Sequence, residues 1–132
     1  MFTMNKLLIA LLLVSATAYA EDHTVPPAGV VATTDKAKLC VSGYSATVRP
    51  PVSYTNRLKV QWTPLGHKPS EYELDHYIPI ALGGSPTDPN NLWLQKWDDA
   101  KVKDVQENLL HRDLCKGIYT VEQVQQHVRT WK

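Results

Sequence analysis

The sequence predicts a small α+β domain, and three observations carry that expectation. Residues 71–78 alternate polar and apolar side chains with period two, and stretches near 98–116 and 120–131 repeat apolar positions at helical spacing. The third is that the only two cysteines, Cys40 and Cys115, lie 75 positions apart. A strand, a glycine loop, a second short strand and a helix are therefore expected in that order, with a further helix behind them and one disulfide.

The opening "MFTMNKLLIALLLVSATAYA" has the form of a secretory signal. Lys6 supplies positive charge, Leu7 to Val14 is an apolar run, and Ala18-Tyr19-Ala20 is a small-x-small site cut after Ala20. The run is short of the roughly 20 residues a membrane span needs, so no stable insertion is expected after cleavage. Residues 1–20 are thus read as signal peptide, 21–37 as a flexible lead-in and 38–132 as the folded domain. A secreted or periplasmic location follows, and such a compartment favours pairing of Cys40 with Cys115.

Within the domain, "CVSGYSATVRPPVSY" carries a glycine turn and a Pro-Pro pair that should keep it extended. Thr55 to Trp62 is helix-like, with Leu58 and Trp62 on one face and Pro64 as its stop. Tyr72, Leu74, His76 and Ile78 form one side of the first strand and Glu73, Asp75 and Tyr77 the other, until Pro79 ends regular pairing. Gly83-Gly84 and the Pro86 to Pro89 cluster make a loop, and "NLWLQ" is the second strand. Asp98 or Asp99 should cap the next helix, with Val102, Val105, Leu109 and Leu110 as its stripe and Gly117 as its stop. Thr120 and Gln123 form a capping-box pair ahead of Val121, Val124, Val128 and Trp131.

Charge narrows the function classes. Removing the signal takes Lys6 and no acid, leaving 13 basic against 13 acidic side chains. Nothing in that balance advertises broad phosphate affinity, although a small site needs only a local patch. Neither cysteine belongs to a C-x-x-C pair, so a cysteine-based zinc site is not expected.

The chemistry-bearing segment is "YELDHYIPIALGGSPTDPNNL". Asp75 is a hard oxygen ligand of the kind divalent cations take. A neutral imidazole at His76 titrates near physiological pH and can accept a proton from water, and a carboxamide at Asn91 can orient an imidazole. Metal binding, proton abstraction and positioning together make a hydrolytic site for a phosphodiester.

"LDHYIPIALGG", the fourteen-residue interval and "NNLW" resemble the core motif of HNH endonucleases. The likeness extends through "KVKDVQENLLHRDLCKG" and upstream to "CVSGYSATVRP" and "SYTNRLK", as in small exported HNH-type proteins of bacteria and phages. It implies a ββα-metal (His-Me finger) core with flanking helices and a divalent-metal-dependent endonuclease cutting DNA, with RNA as the alternative substrate. Mg2+ or Mn2+ is the implied cation, with Zn2+ or Ni2+ as alternatives. Asp75 would bind it, His76 would be the general base and Asn91 would orient His76. Many relatives place a metal-binding His three residues before a helical Lys, where this chain has Ala100. Asp104 and Glu107, three apart on one helix face, are the substitutes, and Asp104 is favoured.

Arg49, Arg57, Lys59, Lys68, Lys96 and Lys101 are the cations near the motif. They are too few to read a long base sequence, so cutting with little sequence preference is expected. The competing class is a non-catalytic, degenerate HNH scaffold that binds nucleic acid or an envelope partner, and Ala100 is the residue that supports it.

Overall fold

A computed structural model describes residues 21–131. The signal segment and its cleavage site at Ala20 lie outside the described residues. Among those described, no helix is long and apolar enough to cross a membrane.

The architecture is mixed α and β. Helices α1 (Lys36–Leu39), α2 (Tyr44–Val48) and α3 (Val52–Trp62) precede strand β1 (Tyr72–His76). Strand β2 (Leu92–Lys96) runs straight into α4 (Trp97–Cys115), and α5 (Val121–Arg129) closes the chain. The strands pair antiparallel as a two-stranded sheet, with Tyr72 opposite Lys96, Asp75 opposite Trp93 and His76 opposite Leu92. The strand, loop, strand and helix order read from the sequence is the order observed.

The stretch expected to be extended is instead helical at Tyr44–Val48, and α3 begins at Val52 rather than Thr55. Composition hides the reason. Gly43 adopts φ +82 and reverses the chain ahead of α2, while Pro51 precedes Val52 with φ already fixed for a helix entry.

Helix α4 also departs from expectation. It starts at Trp97, its cap residue Lys96 makes no side-chain capping bond, and Asp98 and Asp99 lie in the first turn, where they still complement the helix dipole. Val102, Val105 and Leu109 are exposed; the buried positions are Ala100, Lys103, Leu110 and Leu114. Helix α5 forms as expected over Val121–Arg129, with the Thr120 and Gln123 capping box formed and Val121, Val124 and Val128 buried, whereas Trp131 falls past its end and is half-buried.

Leu39, Leu82, Leu110, Leu114, Val121, Val124 and Val128 form a core between α1, the loop after β1, α4 and α5. Cys40 and Cys115 are disulfide-bonded, tying the end of α1 to the end of α4 beside it. With 75 positions between the two cysteines, the bond removes much freedom from the unfolded chain, worth about 2–4 kcal/mol. Replacing both cysteines with serine is therefore expected to lower the melting temperature by roughly 10 °C or more, measured by thermal unfolding against the oxidised protein.

The lead-in has almost no regular structure, yet it is pinned. Leu94 donates its N–H to the His23 carbonyl at 2.7 Å, Gly29 to Asn90 at 3.1 Å, Ser85 to Val30 at 2.7 Å and Ala32 to Gly83 at 2.8 Å. The His23 ring stacks on Trp62 with centroids 3.8 Å apart. These bonds come from backbone atoms, which composition does not reveal.

Candidate hydrolytic site at the end of the hairpin

The loop between the strands is built around Asn91, which is completely buried. Its Oδ1 accepts from the N–H of Ile78 at 3.0 Å and of Val30 at 3.3 Å. Its Nδ2 donates to the carbonyls of Ile78 at 3.0 Å and Ser85 at 2.9 Å. One carboxamide thus closes the chain leaving β1, the chain entering β2 and the lead-in into a single knot. Gly84 fits here for want of a side chain: a Cβ would stand 1.8 Å from the Ile78 carbonyl oxygen.

Asn91 does not touch the imidazole it was expected to orient. His76 is 8% exposed, and its Nε2 lies 2.8 Å from the carbonyl oxygen of Pro86. That carbonyl follows the Ser85 peptide held by Asn91, so the amide positions His76 through the loop. A carbonyl only accepts, so Nε2 carries the proton of the neutral ring and Nδ1 keeps its lone pair. Burial pushes the imidazole below its ordinary value, and Arg49 and Lys103 push the same way; the Pro86 carbonyl and Asp75 oppose them.

Asp75 and His76 leave the strand toward different partners, as alternation requires. The Asp75 carboxylate meets α4, where Oδ2 stands 2.7 Å from Lys103 Nζ. The same ammonium donates to the His76 carbonyl at 2.8 Å and lies 4.0 Å from Glu107 Oε2. Asp75 Oδ2 is buried and, despite that short ion-pair distance, makes no well-directed hydrogen bond. Charge alone engages it, and a lone pair is left for another ligand.

Glu107, not Asp104, is the second carboxylate of the cluster. Asp104 is exposed and Glu107 half-buried. Helix geometry explains the choice: from Lys103 one residue turns about 100° away, whereas four residues return to within about 40°. Burial pushes the Glu107 carboxyl up to about 7, with Asp75 and Asp104 adding to the shift against the opposing pull of Lys103 and Arg49. Asp104, the residue favoured from the sequence, is exposed and makes no ion pair with Lys103, though its charge acts on Glu107. Lys103, 7% exposed at its side chain, joins the site although the sequence did not single it out.

Among the described residues no three or more His, Cys, Asp and Glu side chains converge as a metal group. Two carboxylates, one of them with a buried oxygen held only by the Lys103 ammonium, are of the kind a hard cation such as Mg2+ or Mn2+ takes, since it keeps several waters and uses one or two protein carboxylates. They suit Zn2+ less well, because its sites are built mainly from histidine nitrogen and cysteine sulfur donors. A cleft of about 1060 Å3 lies elsewhere, lined by His23, Trp62, Tyr72, Trp93 and the start of α4. Asp75 and His76 do not line that cleft and are largely buried, Asp75 13% exposed at its side chain and His76 8% overall.

No family model matches the chain, and no curated protein or solved structure shows a significant match to it.

Proposed function

We propose that the protein is an exported, divalent-metal-dependent endonuclease of the HNH type, hydrolysing phosphodiester bonds in DNA, and in RNA, with little sequence preference. On this reading β1, β2 and α4 form a ββα-metal core. One observation carries it: at the end of a β-hairpin packed on a helix, an imidazole with Nε2 fixed on the Pro86 carbonyl adjoins a carboxylate that shares the Lys103 ammonium with a second carboxylate.

In this mechanism Nδ1 of His76 takes a proton from the attacking water, and the Pro86 carbonyl, already bonded to Nε2–H, stabilises the positive ring that results. Asp75 and Glu107 would hold the cation. Such a cation supplies charge neutralisation at the phosphate and at the departing oxygen. Arg49, exposed and near enough to act on both His76 and Glu107, offers a donor for a non-bridging phosphate oxygen. A disulfide-bonded chain with a signal-like leader suits action outside the cytoplasm.

The second reading, a non-catalytic scaffold that binds nucleic acid or an envelope partner, draws on Ala100 and on the absence of a three-ligand group among the described residues. Incubating the purified protein with supercoiled plasmid separates the two. Nicking that requires Mg2+ or Mn2+ and stops with a chelator is the expected result. Retardation of plasmid without nicking under every metal condition would select the scaffold instead.

A further inference from the structure

Lys103 lies on the core-facing stripe of α4, between Ala100 one turn before it and Leu110 beyond. A lysine is rarely taken out of water without a reason, because its ammonium must be repaid by oxygen partners. Here those partners are the Asp75 carboxylate at 2.7 Å, the His76 carbonyl at 2.8 Å and, more loosely, Glu107 at 4.0 Å. They are the oxygens that surround the proposed cation position. The small side chain of Ala100 leaves the lysine stem room to reach them.

The ammonium also has somewhere else to go. A cleft of about 350 Å3 runs beside the site, its wall including Tyr77, Trp93, Asp99, Val102, Lys103 and Gln106. Asp99 is exposed and stands four residues before Lys103 on the same helix. An acid four residues N-terminal to a lysine is the favourable orientation for a helical ion pair. The four-carbon stem turns on flexible bonds, so the exchange needs no backbone movement.

We propose that Lys103 is the resident cation of this site: its ammonium occupies the place a divalent ion takes, and withdraws to Asp99 when one enters. This rests on reading Asp75 and Glu107 as the ligands. Held so, the two acids stay compensated while no metal is present, and an entering ion must displace a charge already there.

Titration with Mn2+, followed by the paramagnetic resonance of the free ion, tests the inference without any reference to cleavage. Lys103→Met keeps the packed stem and removes the charge, and is expected to tighten Mn2+ binding by roughly tenfold or more, the size of one charged contact in a half-buried site. Lys103→Gln serves as a second variant if the first does not melt cooperatively. Asp99→Asn, which alters no ligand, is expected to weaken Mn2+ binding roughly two- to threefold. Unchanged or weaker binding in both Lys103 variants, or no saturable Mn2+ binding in any protein, overturns the proposal. Unchanged binding in Asp99→Asn overturns the retreat to that residue. Tightened Mn2+ binding in a protein that never nicks plasmid would sink the nuclease reading and leave this one standing; nicking with unaltered Mn2+ affinity would do the reverse.

Discussion

Replacing His76 with alanine is expected to lower metal-dependent cleavage by roughly 10²–10⁴-fold, the range a positioned general base contributes. The substitution frees the half-buried Pro86 carbonyl, at a cost of about 1–3 kcal/mol, and empties the space of a buried imidazole, so folding is checked alongside activity. Rates from plasmid nicking and a thermal melt on the same preparations check both halves. A variant that melts normally and cuts at the parent rate would end the role given to His76.

The pH profile of the parent protein adds a second constraint. His76 acts as a base only when neutral, and burial moves its titration below its ordinary 6.5, so its acid limb falls below that value. Glu107 holds a cation only when ionised, and its carboxyl titrates up to about 7. At limiting Mn2+ the rate should therefore decline as the pH drops through about 7, because the proton and the ion compete for one carboxylate. Raising Mn2+ should move that decline to lower pH, until the limb belonging to His76 sets the limit and further metal has no effect. A decline that ignores the Mn2+ concentration would remove Glu107 from the ligand set.

The hairpin was legible because period two in "YELDHYI" and the apolar "NLWLQ" are local signals, and the last helix because a capping box and a valine stripe agree. Helix α4 misled. Val102, Val105 and Leu109 imitate a core stripe, while the true inward face carries Lys103 and Glu107, polar residues recruited there by Asp75 of a strand about thirty positions earlier. No local periodicity encodes such a partner. A hint was present all the same: Ala100, Lys103, Glu107, Leu110 and Leu114 keep helical spacing, and a charged interruption in an otherwise apolar stripe is what a buried site looks like from sequence. Asn91 shows a different limit. Its position in the motif was plain, but fourteen residues of intervening loop do not say which backbone atoms the carboxamide binds on its way to positioning His76.

Asn91→Ala is expected to destabilise the protein by at least about 4 kcal/mol, more than a typical core truncation. The Ile78 N–H and the Ile78 and Ser85 carbonyls would each lose a buried partner, at about 1–3 kcal/mol apiece, and Val30 of the lead-in would lose its tie as well. Asn91→Asp separates this clamp from a catalytic role through the sign of its pH dependence. The introduced carboxyl would face two carbonyl oxygens where an amide once donated, so its folded-state titration would be raised above the unfolded value. The unfolded chain would then ionise first as pH rises, and stability would fall with rising pH between the two values and recover on acidification. Denaturant midpoints measured across that window test the sign. Asn91→Asp with stability flat in pH, or Asn91→Ala with a melt close to the parent's, would mean that the loop is held by something other than this amide. The carboxamide would then be free for the direct contact with His76 that the motif first suggested.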